Sequence, residues 1–254
     1  MDFASSLITS LRNATKIVVL TGAGISAESG LATFRDAQTG LWSQFKPEEL
    51  ATAEAFRRNP KLVWEWYTWR REQTFKAEPN AGHLALVEIE KRNPNFLLVT
   101  QNVDGFHTRA GSKRIVELHG NLHRFRCFES DCPSNNFDIE HGRCRSCGGH
   151  LRPDVVWFGE MLPTAALESA ITAAENCDVF FSIGTSSVVY PAADLWRRAS
   201  ERGAIVIEIN KDPTPLTPLA DYSLLGKAGE ILPALVQEIW ISPNCLSSDA
   251  RSEK

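Results

Sequence analysis

The 254 residues contain no apolar run longer than a strand; the longest are IVVL, VFFSI and AIVIEI. A membrane-spanning helix needs about 20 apolar residues in succession, so none is expected, and membranes are not an expected partner. No secretory leader is expected either, because MDFASSLITSLRNATK has an early acid and no continuous hydrophobic stretch. Phe3, Leu7 and Leu11, four residues apart, instead predict a short amphipathic helix. Excess positive charge is also missing: 27 Lys and Arg face 31 Asp and Glu, a net charge of −4. Non-specific nucleic-acid binding rests on clustered basic charge, so direct nucleic-acid binding is not expected. Repeats and low-complexity tracts are absent. The expected location is cytoplasmic, where thiols stay reduced and clustered cysteines serve metals more often than disulfides.

What is present suits a folded enzyme-sized domain: 43% apolar and 23% charged residues are ordinary for a globular chain of this length. Six short apolar runs end in turn-forming or polar residues, at 16–22, 95–102, 114–120, 178–184, 204–210 and 221–226. They are nearly continuous in β-branched and aliphatic side chains, the pattern of strands covered on both faces. Helix-like segments at 79–92, 163–176, 191–202 and 229–240 alternate with them. The expected fold is α/β, a Rossmann-like doubly wound parallel sheet with a smaller inserted zinc-ribbon and helical lobe. Residues 1–35, 79–121 and 153–242 would form the main domain, 36–78 a helical insertion, 122–152 a metal module and 243–254 a loose tail.

Four of the six cysteines lie in that module. Cys127 and Cys132 have four residues between them, Cys144 and Cys147 two, a spacing that suits a tetrahedral structural zinc. Free or disulfide-linked cysteines are the competing reading; His123, His141 and His150 are possible substitutes. TGAGISAESG follows the first apolar run, and Gly22, Gly24 and Ala27 fit a phosphate-binding turn. A plain tight turn is the alternative, and the acid a dehydrogenase places about twenty residues on is missing. TQNVDG puts Gln101, Asn102 and Asp104 at a strand's carboxyl end, where open α/β sheets bind ligands; a simple Asn–Asp turn cap competes. VELHGN places His119 at another strand end, with a near-neutral pKa suited to a general base, though a lone histidine is usually structural. Gly184, Thr185, Ser186 and Asn210 add further polar strand ends.

The segment VWEWYTWRREQ (63–73) holds three of seven tryptophans. On a helix, Val63, Trp66, Tyr67, Arg70 and Thr74 share one stripe, which brings an arginine to an inward face. Either it stacks on Trp66 or pairs with an acid, or it reads an acidic guest.

GAGISAESGLATFR, TQNVDGFH, ELHGN, the four-cysteine module, VVWFGE and IGTSSVVYPA, in that order over about residues 16–228, together resemble the sirtuins. That resemblance implies NAD-dependent protein-lysine deacylation yielding nicotinamide and O-acyl-ADP-ribose, on acylated-lysine proteins or peptides. It implies NAD contacts from Gly22, Ala23, Gly24, Ile25, Ser26, Phe34, Arg35, Trp42, Gln101, Asn102, Val103, Asp104, Gly184, Thr185, Ser186, Asn210, Lys211, Asp212 and Ala228. His119 would be the general base, Val156, Trp157, Phe158 and Gly159 the strand that pairs with substrate peptide, and the zinc purely structural. WYTWRRE resembles the class III branch, in which Tyr67 and Arg70 would read the carboxylate of succinyl, malonyl or glutaryl groups, with Arg71 as rival. Ala32 and Thr33 stand where the family commonly has Pro and Asp. Mono-ADP-ribosyl transfer from the same site, or a non-enzymatic NAD-sensing module, are the competing functions.

Overall fold

The computed structural model describes residues 2–31, 46–128, 132 and 135–241. Six strands form one sheet: β1 (Lys16–Thr21), β2 (Asn95–Thr100), β3 (Ile115–Glu117), β8 (Val179–Ile183), β9 (Ile205–Asn210) and β10 (Tyr222–Leu225). Their spatial order is β10-β9-β8-β1-β2-β3, and every pairing is parallel. Side chains alternate across the sheet. Ile17 and Val19 join Phe181, Ile207 and the inner faces of α1 (Ser5–Asn13), α6 (Ala81–Arg92) and α10 (Ala228–Val236). Val18 and Leu20 face the other way, against Phe180, Val206 and α8 (Thr164–Ala174) and α9 (Leu195–Glu201). Burial on both faces is why these runs read as almost uninterrupted apolar sequence. The strand order reverses between β8 and β1, which opens a crevice at their carboxyl ends.

All six expected strands form, each somewhat shorter than its apolar run, and one is cut back most. The run 114–120 stops at Glu117 because the chain turns at Gly120, whose φ is +79°. A Cβ there would sit 2.0 Å from the Asp154 carbonyl oxygen, so the backbones can meet only at glycine. Gly120 instead opens β4 (Gly120–Cys127), which pairs antiparallel with β7 (Leu151–Val155); β5 (Phe137–Asp138) and β6 (Arg143–Cys144) make a second small ladder.

Beside β4 and β7 lie α3 (Pro47–Leu50), α4 (Ala53–Arg58) and α5 (Pro60–Lys76). Asn59 starts α5 by accepting the Leu62 N–H at 3.1 Å, with Pro60 in the first turn where its missing donor costs nothing. Leu50, Phe56, Val63, Trp66 and Tyr67 share one core with Leu122, Val155 and Trp157. The helical segment and the β4–β7 ladder therefore pack as one body. No described helix is long and apolar enough to cross a membrane.

Candidate active site

The turn after β1 and the turn after β8 touch backbone to backbone at the switch point. The Gly24 N–H donates to the Gly184 carbonyl at 2.8 Å, and a Cβ on Gly24 would lie 2.7 Å from Gly184 Cα. Glycine on both sides permits this approach and brings the short helix α2 (Gly24–Ala27) to the crevice, with its amides bonded to the Gly184, Gly22 and Ala23 carbonyls. Gln101, just past β2, donates from Nε2 to Thr185 Oγ1 at 3.1 Å, and Asn210, ending β9, donates from Nδ2 to the Thr185 carbonyl at 2.7 Å. Four strand ends are thus tied together around one opening. Ser187, at φ 56°, keeps its hydroxyl buried and without a partner among the described residues. An orphaned hydroxyl beside a glycine cradle fits a polyhydroxylated, phosphate-bearing guest such as a dinucleotide.

Ser26 forms the polar centre. Its hydroxyl donates to Asp104 Oδ2 at 2.7 Å and accepts from Asn102 Nδ2 at 3.2 Å, which also reaches the Gly22 carbonyl at 3.0 Å. Asp104 is 7% exposed, and burial raises its pKa against the pull of the Phe106 N–H and Ser26. Behind this group sit His83 and His107, both buried with rings 4.8 Å apart. Burial pushes the His83 pKa down to about 4 and that of His107 well below its ordinary value. His119 lies nearby on the turn between β3 and β4. Its Nδ1 is 2.9 Å from the Gln101 carbonyl, which can only accept, so Nδ1 carries the proton and Nε2 keeps its lone pair. Burial lowers the pKa as well, leaving a neutral imidazole able to take a proton.

A second, aromatic wall comes from α5. Tyr67 is 4% exposed and its hydroxyl accepts from Trp157 Nε1 at 2.9 Å. An indole N–H can only donate, so the phenolic hydrogen remains for another acceptor. Burial pushes the Tyr67 pKa up to about 12, with Arg70 opposing, and the group stays a donor. Arg70 stacks on the Trp66 ring, 5.0 Å from its centroid. The stacking alternative is therefore what the structure contains, yet Arg70 also faces a charge partner. Burial lowers its pKa, and Tyr67 and then Asp104 draw it back up. A guanidinium stacked by its face presents its N–H groups in the ring plane. Arg71 points elsewhere, over Phe125 at 4.7 Å and Trp64 at 5.9 Å.

Trp157 is itself held from behind. Glu160 accepts its backbone N–H at 2.9 Å and pairs through both oxygens with Arg152, whose guanidinium lies 3.4 Å from the Trp157 ring centroid. Burial would raise Glu160, but Arg152 and the Trp157 N–H outweigh it and its pKa is lowered. None of Val156, Trp157, Phe158 and Gly159, read as a peptide-pairing strand, belongs to β7, which ends at Val155. Val156 donates its N–H to the His119 carbonyl at 2.9 Å, and Trp157 turns inward. Phe158 is 51% exposed beside Gly159, with its N–H on the Ala51 carbonyl at 2.9 Å.

The sulfurs of Cys127, Cys132, Cys144 and Cys147 all lie within 4.8 Å of one another. Four sulfurs so close fit a single tetrahedral ion at thiolate distance. The Cys147 N–H, joined by that of Ser146, pulls the Cys144 thiol down to about 6 although burial opposes this. The three histidines considered as substitutes are outside this cluster; His123 meets Asp104 and His141 meets Asp138.

Among the residues expected around the crevice, Gly22, Ala23, Gly24, Ile25, Ser26, Gln101, Asn102, Asp104, Gly184, Thr185 and Asn210 come together as described. Val103 joins them by accepting the Leu122 N–H at 2.9 Å, Lys211 and Asp212 are exposed past β9, and Ala228 starts α10. Phe34, Arg35 and Trp42 lie outside the described residues. Sequence reasoning missed His83, His107, Arg152 and Glu160. Only His83 left a local trace, at the third position of a helix capped by Asn80.

Fold and site define a nucleotide-binding α/β enzyme with a thiolate metal module. The Sir2 family model matches residues 22–191, and the chain belongs to the Sir2 family, the sirtuins. An NAD-dependent protein deacylase of Aquifex aeolicus is 55% identical over 218 residues, 84% of this chain and 90% of that protein. The crystal structure of a Sir2 homolog–NAD complex superposes with a TM-score of 0.87 at 46% identity, covering 94% of each chain. A Sir2–p53 peptide–NAD+ complex superposes at 0.83 with 29% identity, covering 95% of this chain and all of the other (100%).

Proposed function

We propose that this protein is an NAD-dependent protein-lysine deacylase that favours acidic acyl groups (succinyl, malonyl or glutaryl) and also accepts acetyl, releasing nicotinamide and O-acyl-ADP-ribose. The NAD-dependent part is supported by the glycine cradle at the switch point, by deacylase relatives and by the superposition on an NAD complex. NAD supplies the electrophilic ribose carbon that takes the acyl oxygen. The chain's own residues do the rest. Gly22 to Ser26 and Gly184 to Ser186 form the close-packed turns and supply the hydroxyls that receive the diphosphate and adenosine half, and Gln101, Asn102 and Asp104 orient the nicotinamide half. His119 Nε2 withdraws a proton from a ribose hydroxyl, its tautomer set by the Gln101 carbonyl. Phe158 and Gly159 form an edge for an extended peptide, in keeping with the p53-peptide complex of a relative. The four thiolates hold zinc as a structural element.

The observation that carries the acidic-acyl reading is the Tyr67–Arg70 pair: a half-buried cation beside a phenol whose hydrogen is uncommitted. Together they match a carboxylate at the end of an acyl chain. Arg70→Met is expected to lower kcat/KM for a succinyl-lysine peptide by about thirty- to a thousandfold, the cost of one charge-assisted contact in a desolvated pocket. The loss on a matched acetyl-lysine peptide should stay within about threefold, a factor comparable to a repacked neutral contact. Equal losses on the two peptides would overturn the acidic-acyl reading and leave the deacylase reading standing.

A further inference from the structure

His123, in β4, touches both halves of the site without lining either. Its Nε2 lies 3.1 Å from the Asp104 carbonyl oxygen and 3.2 Å from Thr74 Oγ1 in the last turns of α5. The carbonyl can only accept. Thr74 gives its own hydrogen to the Arg71 carbonyl at 2.7 Å, so toward His123 it too can only accept. One proton on Nε2 is therefore shared between the two, and the tautomer is fixed by its partners. The groups around the ring agree: burial, Arg71 of α5 and Arg109 of α7 (Phe106–Ala110) lower the pKa, while the Asp104 carbonyl and carboxylate raise it, with a net lowering. The ring also packs edge-on against Phe75, 4.7 Å between centroids, on the same turn of α5.

A second tie runs in parallel. Arg109 Nη1 donates to the carbonyls of Thr74 at 2.7 Å and Ala77 at 3.0 Å, closing the carboxyl end of α5 with a positive charge. Thr74 stands four residues beyond Arg70 on the same helical stripe, so a turn fixed at Thr74 also fixes Arg70. Asp104 is the acid that Arg70 feels most after Tyr67.

We infer that His123 is a positioning residue: its shared Nε2 proton locks the acyl-pocket turn of α5 to the Asp104 turn of the nucleotide crevice, setting acyl selectivity and NAD affinity together. The acyl half of this statement rests on the proposed acidic-acyl function, while the NAD half rests only on the crevice. Glutamine is the conservative test, because its amide N–H reaches about where the Nε2–H of histidine does; leucine keeps bulk and removes the donor. The measurements are NAD KM with an acetyl-lysine peptide, the succinyl-to-acetyl ratio of kcat/KM, and the melting midpoint.

His123→Leu is expected to raise the NAD KM and lower the succinyl-to-acetyl ratio, each by about three- to tenfold, the range of one neutral hydrogen bond. His123→Gln should return both to within about twofold of the parent, a residual below one hydrogen bond. His123→Asn, too short to reach either acceptor, replaces the leucine variant should the latter not fold. Unchanged values in the leucine variant, movement of only one parameter, or a glutamine variant as impaired as leucine would each overturn the inference. A parent enzyme with no preference for succinyl-lysine removes the acidic-acyl reading alone, since the NAD KM still reports the tie to Asp104.

Discussion

The indole Nε1 of Trp157 donates to the hydroxyl of Tyr67 at 2.9 Å, and both rings are buried. One bond thus fixes a wall of the pocket and leaves the phenolic hydrogen to face a guest. Tyr67→Phe is expected to act in two ways. It strands the buried Trp157 N–H, costing about 1–3 kcal/mol of stability. It also removes a donor to the proposed acyl carboxylate, lowering kcat/KM for succinyl-lysine by about tenfold or more against a small change for acetyl-lysine. Thermal melts and paired-peptide kinetics read the two effects separately. A Phe variant equal to the parent on succinyl-lysine would leave Tyr67 a purely structural residue.

The four-sulfur cluster makes a different kind of claim, since it lies outside the crevice and should govern folding of its module. Cys127, Cys144 and Leu151 are buried together, with Trp64 and Phe137 packed on them. Without a cation, this core would consist of crowded thiols and little apolar area. Cys144→Ser is expected to abolish stoichiometric zinc, read by elemental analysis, and to lower the melting midpoint. Strong chelator should reproduce that loss in the parent, because metal-binding free energy in such modules is folding free energy. Melting unchanged by chelator, with zinc shown to be removed, would contradict a structural metal.

Much of this was legible in sequence for identifiable reasons. The sheet strands read clearly because Val18 and Val19, or Phe180 and Phe181, are both buried, on opposite faces. The inward stripe of α5 followed from helical period alone, and Val63, Trp66, Tyr67 and Thr74 are all buried. The cysteines announced themselves by spacing. Local pattern could not reveal that Trp157 turns inward, because residues 156–157 lie outside any regular element and have no period to follow. Nor could it pair His123 with Asp104 or His83 with Ser26, contacts made across 19 and 57 residues by single side chains. A histidine that matters through one distant partner leaves no mark on its own neighbours.

At the switch point, the turn–turn contact gives a prediction about backbone rather than side chains. Gly184 has φ +60°, and a Cβ there would stand 2.4 Å from the Ile25 nitrogen. Gly184→Ala therefore combines left-handed strain with a backbone clash that no rotamer can relieve, costing about 2–4 kcal/mol. Separation of the two turns should also weaken NAD binding, measured by calorimetric titration below the variant's melting transition. Parent-like NAD affinity would show that the close approach of the turns serves packing only.

Buried histidines set the response to acid. In the folded chain burial pushes His83 down to about 4 and His107 well below its ordinary value, so both remain neutral where an unfolded histidine, near 6.5, has already taken up a proton. Between those values the unfolded state binds more protons, and stability must fall as pH drops through that window. His83 alone accounts for a loss on the order of 3 kcal/mol by pH 4. Asp104, whose pKa is raised by burial, opposes part of this, since the folded state takes up its proton first. The melting midpoint should therefore decline from pH 6.5 to pH 4 in the parent and decline less in His83→Gln, where one buried neutral imidazole is gone. His119 gives the matching kinetic signature: with its pKa lowered by burial, the acid limb of kcat/KM should fall below the ordinary histidine range. Identical slopes of melting against pH in parent and His83→Gln would mean that His83 does not control the acid response.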